Sequence, residues 1–477
     1  MNYTRNAKLQ SSTGQQKVVL EVWGVDGPNS ASIEITSKCN LKCTMCPLTL
    51  ATSSTSGAVT HLTLPLWEKF LKGLEQDISR VLLTGFGEPM LHPHLLRFLG
   101  DLQERSLLTS LTTNGVRTTP AFLAAMPDLT YLDHLNVSID SFDPDVYEAI
   151  RKGKLGKCLD TISKYAKARG PRTTLSVSSI LMQSTLPSLK EAPRKLADLG
   201  VGHLVLQSLF DQAPEGLDQH LSGEQLAEQI AEIQHQGAQA GVEVHFELPD
   251  RLQLELHDPA AANRNYFDDS RTHGQSRVCG LAWDTTHVDA AGKVFPCCRA
   301  AAVDQGALGD LGKASFAEIW QGQPYQALRS SFGQADRLSD LCATCTTVPA
   351  GLHVHAGFEG RVEPVIDQAD DGTLTLYVTN CGTRDWDAEY RPSIGTARPN
   401  DRESPLYNKS WISRNRVARM HEGRVSPGGR ARFTLPVNVS DGEAAKEHFQ
   451  LVIDGMFWIP GTHFSLRWDV RADNIQH

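Results

Sequence analysis

Between residue 31 and about residue 245, short strand-like runs alternate with amphipathic helical stretches, and this alternation restricts the fold more than any other feature. The runs are ASIEIT (31–36), RVLLTGF (80–86), LLTSLTTN (107–114), LNVSID (135–140), TTLSVSSIL (173–181) and HLVLQSL (203–209), with VEVHFEL (242–248) as an additional strand. Stretches such as LPLWEKFLKGLEQ and SLKEAPRKLADL separate them. Repeated strand-then-helix units imply parallel strands joined by right-handed crossovers. Six such units predict an α/β fold built on a partial (β/α)6 TIM-type barrel, with its working groups at the C-terminal ends of the strands.

A chain of 477 residues is too long for one ordinary domain. The pattern divides it into an N-terminal segment (1–30), the barrel (31–250), a polar linker (251–278), a loop-rich cysteine-bearing region (279–350) and a C-terminal module (360–477). The cysteine-bearing region leaves little room for a conventional core. In the last module TLTLYVTNCG, RARFTLPVNV, HFQLVIDGMFW and HFSLRWDV alternate between Gly, Pro and Asn turn signals, which predicts an antiparallel β-sandwich. A formal net charge of −9 argues against a nucleic-acid partner. No apolar run is long enough for a membrane helix, and the opening MNYTRNAKLQSSTGQQ lacks the apolar core of a secretory signal. A cytoplasmic location without a membrane partner is therefore expected. In a reducing compartment, cysteines bind metals or react more often than they form disulfides.

Of the ten cysteines, three fall within TSKCNLKCTMCPL (36–48), on the loop after the first barrel strand. A structural zinc site closes with four protein ligands, and around Cys39, Cys43 and Cys46 the nearest later candidate is His61. A [4Fe–4S] cluster held by three thiolates instead leaves one iron open to a small molecule. The residues alone leave zinc or bare thiols open. The C-x3-C-x2-C arrangement resembles the signature of radical S-adenosylmethionine (SAM) enzymes, in which the open iron chelates SAM. Other segments match in order: TGFGEP (84–89), TTNG (112–115), SID (138–140) and YEAIRKG, which contains Arg151. The resemblance covers about residues 31–250. It implies that Gly85, Gly87 and Glu88 meet the methionine end of SAM, and that Ser138 and Arg151 contact its ribose or carboxylate. Glycines there permit close backbone approach, and a carboxylate can accept from an ammonium.

A second set comprises Cys279, Cys297, Cys342 and Cys345, with a Gly-x4-Cys step at Gly292–Cys297. It resembles the twitch/SPASM auxiliary-cluster extensions of the same superfamily, and the four ligands fit the shorter twitch type with one closed [4Fe–4S] cluster. The C-x2-C pair taken alone equally suits a zinc knuckle. Cys298 is expected to be a packed thiol, and Cys158 and Cys381 to be small buried hydrophobes. Asp284, His287 and Asp289 are candidate proton acceptors, each also readable as an ordinary loop residue.

The C-terminal module carries Trp386, Trp411, Trp458 and Trp468 and an N-x-G-x-x-x-W pattern in VTNCGTRDW. It resembles four-tryptophan immunoglobulin-like domains, with tryptophans that fill a core and a face open to a carbohydrate, peptide or protein ligand. The resemblances together imply an enzyme with two [4Fe–4S] clusters and SAM, served by an external donor such as flavodoxin or ferredoxin. Its expected action is oxidation, or another modification, of a small polar metabolite such as a sugar, cyclitol or secondary metabolite. The short first segment disfavours the alternative of a peptide- or protein-modifying maturase. A non-catalytic zinc-binding scaffold is the alternative from another class.

Overall fold

The computed structural model describes residues 6–8, 16–23, 27–28, 30–49, 60–74, 78, 80–209, 223–247, 277–279, 281–331, 340–343, 353–355, 358, 360–369, 373–382, 384–397, 403–404, 406–407, 409–436, 445–454, 457–459 and 461–470. The 251–278 linker lies almost wholly outside them. Strands β1 (Asn6–Lys8) and β2 (Gln16–Trp23) precede the barrel strands β3 (Ser30–Ile33), β4 (Arg80–Leu83), β5 (Leu108–Thr113), β6 (Leu132–Ser138), β7 (Thr174–Leu181), β8 (His203–Ser208) and β9 (Glu243–Glu247). All seven barrel strands pair in parallel and in sequence order.

Barrel strands β3, β4 and β5 bury alternate residues. Ala31, Ile33, Val81, Leu83, Leu111, Leu135, Val177 and Leu204 point to one face and form one core with the helices. The helix Leu64–Gly73 shows how that cover is made. Thr63 caps it by accepting from the Leu66 backbone N–H, and Trp67, Phe70 and Leu71 turn inward. The Trp67 ring stacks on Phe98 at 4.2 Å while its Nε1 donates to Asp101 at 2.8 Å. Burial of a Leu or Phe side chain of this kind contributes roughly 1.5–3 kcal/mol. The other face looks into the barrel and is polar. There His134 Nε2 pairs with Ser176 Oγ, Ser176 donates to Asn136, and Asn136 donates to Ser178.

Strands β10 (Arg277–Cys279), β11 (Thr285–Val288), β12 (Lys293–Phe295), β13 (Gly309–Asp310) and β14 (His353–His355) follow. The β11–β12 hairpin is annealed to the barrel, with β11 parallel to β3 in the register His287 opposite Ser32. The sheet thereby grows to ten strands, in the order β13-β12-β11-β3-β4-β5-β6-β7-β8-β9. This corrects the expectation of a region with little core. Val288, Val294, Leu311, Phe316, Trp320 and Tyr325 are buried in the same core as the barrel.

The last strands are β15 (Gly360–Gln368), β16 (Leu374–Asn380), β17 (Ser393–Thr396), β18 (Arg416–Arg419), β19 (Arg430–Leu435), β20 (Ala445–Ile453), β21 (Phe457–Trp458) and β22 (His463–Val470). They form two antiparallel sheets, β15-β16-β19 and β1-β2-β22-β20-β17-β18 with β21 on β20, around a shared apolar core. The N-terminal segment thus supplies two strands to the C-terminal module, with Leu20 opposite Leu466. Trp386 and Trp411 are buried, as expected of core residues, whereas Trp458 is half-buried under Arg416; the Trp468 side chain is outside the described set. Asn380 explains the N-x-G-x-x-x-W pattern. Its amide donates to the Arg384 and Val425 carbonyls and accepts from the Gly382 N–H, fixing the loop that delivers Trp386.

Candidate active site

The loop carrying Cys39, Cys43 and Cys46 leaves the C-terminal end of β3. An apolar shell closes around it, with Leu41 and Met45 from the loop, Ile150 from the helix Pro144–Arg151, Met182 after β7 and Leu209 after β8. Burial pushes all three thiols above their ordinary range, Cys43 to about 12 even though the Arg151 guanidinium pulls it down. The thiols also raise one another. A tetrahedral zinc would draw three sulfurs to about 3.8 Å apart at a Zn–S distance of about 2.3 Å. Among the described residues these three sulfurs are not gathered that closely. His61 does not close the set. It is bridged by its backbone to Thr36, and its ring meets His92 edge-on at 5.2 Å.

The TGFGEP loop follows β4 and lies against the thiol loop. The Glu88 N–H donates to the Lys38 carbonyl at 2.8 Å. A Cβ at Gly87 would fall 1.8 Å from the Thr36 carbonyl oxygen, and one at Gly85 would fall 2.5 Å from Glu34 Oε2. The two glycines therefore let this loop touch its neighbours. Glu88 is fully enclosed, and its oxygens accept from the Met90 N–H at 2.9 Å, Thr113 Oγ1 at 2.7 Å and the Asn114 N–H at 2.7 Å. It braces TGFGEP against TTNG and keeps at most one acceptor direction for anything else. Asn114 continues the brace, donating to Asn40 at 2.9 Å and approaching Cys39 Sγ at 3.8 Å. Gly115, at φ +69, has no room for a Cβ beside Cys158 and Val137, so only glycine suits that turn.

Ser138 ends β6 with its hydroxyl 3.5 Å from that of Ser178. Arg151 is buried, and its Nε and Nη2 form a two-pronged pair with Asp140, the Nη2 bond being 2.9 Å. Asp140, wholly buried, also accepts from the Ile180 N–H. Asp140 is a residue the sequence reading missed, although it is the last letter of SID. Glu34 is another. It follows β3 in ASIEIT, accepts from the Phe86 N–H at 2.6 Å, and is pushed up to about 7 by burial, with the nearby Asp289 carboxylate adding to the rise.

Of the second set, Cys297 and Cys342 are half-buried. Cys297 packs with Leu341, Phe295 and Phe86, so one small apolar cluster joins this region to the TGFGEP loop. Cys279 ends β10, where its side chain is outside the described set, and Cys345 lies outside the described residues. Cys298 and Cys381 are exposed, contrary to expectation: Cys298 is the exposed first residue of the otherwise buried helix Cys298–Ala302, and Cys381 follows the end of β16; Cys158 is buried as expected. Among the proton-acceptor candidates, Asp289 Oδ1 caps the hairpin turn by accepting from the Ala291 and Lys293 N–H groups. His287 is buried beside Ser32 Oγ at 3.0 Å, its Nε2 is unpartnered, and burial holds it down at about 4. The Asp284 side chain is outside the described set.

The radical SAM superfamily domain model matches residues 33–205, and the SPASM iron-sulfur cluster-binding domain model matches residues 279–346. The chain belongs to the radical SAM superfamily. A tungsten-containing aldehyde ferredoxin oxidoreductase cofactor-modifying protein of Pyrococcus furiosus is 23% identical over 339 residues, covering 66% of this chain and 86% of the relative. PqqA peptide cyclase of Ruegeria pomeroyi is 24% identical over 331 residues, covering 68% and 81%. The fold is shared with Streptococcus suis SuiB in its complex with precursor peptide SuiA (TM-score 0.52, 13% identity, 64% of this chain and 67% of that one).

The chain is thus a radical SAM enzyme with a SPASM domain, and these two domains imply [4Fe–4S] clusters and SAM as cofactors. The donors fit these groups. Three thiols in an apolar shell stand on a loop against which Gly85 and Gly87 let the TGFGEP loop pack closely. Among the described residues no helix is long and apolar enough to cross a membrane.

Proposed function

We propose that this radical SAM enzyme modifies a side chain of a peptide or protein, the reading noted above as the alternative to a small polar metabolite. The observation that carries it is the extent of the likeness to PqqA peptide cyclase, which runs over two thirds of the chain rather than the barrel alone. A polar barrel interior is compatible with either substrate, so it does not restore the metabolite reading. Cys39, Cys43 and Cys46 hold the SAM-binding cluster, and Cys279, Cys297, Cys342 and Cys345 hold the auxiliary one. When bound, the first cluster and SAM supply reductive cleavage of SAM and a 5′-deoxyadenosyl radical that takes a hydrogen atom from the substrate.

The chain's own residues position and enclose. Glu88 fixes the loop on which Gly85 and Gly87 admit the methionine end of SAM. Asp140 orients Arg151, whose guanidinium edge not bound to Asp140 would hold the SAM carboxylate, and Ser138 would contact the ribose. The shell of Leu41, Met45, Met182 and Leu209 excludes water. An external one-electron donor such as flavodoxin or ferredoxin completes the cycle, and the C-terminal sandwich, immunoglobulin-like in its sequence pattern, offers a surface for a peptide or protein ligand.

The test is transfer of deuterium into 5′-deoxyadenosine. The reduced enzyme is given SAM with either a perdeuterated peptide library or perdeuterated sugars and cyclitols. Deuterium arriving from the peptides supports the proposal. Deuterium arriving only from the polyols restores the metabolite reading.

A further inference from the structure

The last two barrel strands carry a group of donors that the proposed chemistry does not use. His203 opens β8 and Glu243 opens β9, and the parallel register sets them opposite one another. His245 lies two residues on and shares the face of Glu243. The carboxylate sits between the two imidazoles. His203 Nδ1 is 3.4 Å from Glu243 Oε2, and His245 Nε2 is 3.4 Å from Oε1. The rings are parallel within 14°, with centroids 5.9 Å apart. Among the described residues this is the one group of His, Cys, Asp or Glu side chains with three ligand atoms within 4.8 Å of one another.

We propose that His203, Glu243 and His245 form a binding site for a divalent transition ion such as zinc, clipping the edge strand β9 to β8. The spacing favours an ion over a hydrogen-bonded trio. Both N···O distances are longer than the roughly 2.9–3.0 Å at which an N–H···O bond is best, and each imidazole faces its own carboxylate oxygen, so an ion between the rings could be held by either oxygen or by both. Two imidazoles and one carboxylate are a borderline donor set, suited to zinc and its neighbours rather than to calcium or magnesium.

Charge points the same way. No Lys or Arg is paired with Glu243 among the described residues, and an ion would supply a positive charge there while taking a lone pair from each imidazole. The ligands stand on paired strands rather than loops, so little ordering is required to assemble them. Their side chains are 35%, 47% and 63% exposed for His203, His245 and Glu243, which leaves a remaining coordination position to water. The site opens at the N-terminal ends of β8 and β9, whereas the thiol loop follows the C-terminal end of β3, so the two lie at opposite ends of the sheet.

The experiment uses the full chain with its clusters reconstituted anaerobically. Protein is equilibrated with buffered zinc and desalted, and zinc and iron are measured for the wild type, His203→Ala/His245→Ala and Glu243→Gln. The site predicts one more zinc per chain in the wild type than in the double variant. It also predicts at least a tenfold weaker zinc affinity in Glu243→Gln and a zinc-dependent rise in Tm confined to the wild type. Unchanged iron content and SAM cleavage in the variants show that they are folded. Equal zinc uptake by wild type and double variant, or no zinc retained by the wild type, overturns the proposal.

Discussion

Cys39, Cys43 and Cys46 fall within eight positions and need their neighbours only to enclose them, whereas the second set is spread from Cys279 to Cys345. The first set is local in sequence, but its pocket is not. Loops after β4 and β5 brace it through Glu88 and Asn114, and residues after β7 and β8 seal it. Of the second set, Cys297 follows a hairpin annealed to β3 and shares an apolar cluster with Phe86 of the TGFGEP loop. The contrast teaches that the pocket of the first set is shaped by strand ends of the barrel, while Cys297 is carried by a hairpin at the barrel's edge. Packing around Phe86 joins the two regions.

The largest expected effect comes from removing the local set. Cys39→Ala/Cys43→Ala/Cys46→Ala abolishes 5′-deoxyadenosine formation and lowers bound iron by about four per chain, one cluster's worth, while the second set keeps its own. Loss of both clusters in this variant would mean that the sets are not independent. Next comes Asp140→Asn, which leaves the buried Arg151 without its carboxylate and should cost about 3–5 kcal/mol, measured by denaturant unfolding. A cost below about 1 kcal/mol would show that the pair is not the anchor of that end of the pocket.

Phe86→Ala sharpens the link between the regions. It removes a half-buried ring and should cost about 1–2 kcal/mol, with weaker iron retention at the second set and little change at the first. Unaltered iron retention would cut the proposed packing link. The smallest effect concerns His287. Its ordinary value of 6.5 falls to about 4 in the fold because burial disfavours the charged form. The unfolded chain therefore binds the proton first as pH drops, and stability is lost from about pH 6.5 downward until the folded form also protonates near 4. Between pH 7.5 and 5.5 the wild type should lose about 1 kcal/mol more than His287→Asn. Parallel Tm profiles for the two proteins would show that His287 is solvated.

The barrel was legible because short apolar or alternating runs recur between amphipathic helical stretches, so that Ile33, Val81 and Leu111 announced a buried face. The hairpin was not. TTHV and KVF are too short to show a period, and their strand character comes from pairing with β3, some 255 residues earlier in the case of His287 and Ser32. β2 escaped for a similar reason, since its partner β22 lies at the other end of the chain. At the site, the cysteine spacing and the two glycines were readable as chemistry. The engagement of Glu88 with three donors was not, because two of them, Thr113 and Asn114, come from the end of the next strand. Asp140 and Glu34 stood in quoted motifs, and strand-end carboxylates buried beside a thiol loop are the signal that would have found them.

The central claim is that one thiol set holds a cluster with an open iron and the other holds a closed one. Mössbauer spectroscopy of the 57Fe-reconstituted enzyme, with and without SAM, tests this most directly. SAM should perturb one iron in about eight, consistent with a single open position in two four-iron clusters. The perturbation should vanish in Cys39→Ala/Cys43→Ala/Cys46→Ala. A spectrum indifferent to SAM, or a perturbation that survives in that variant, would contradict the account.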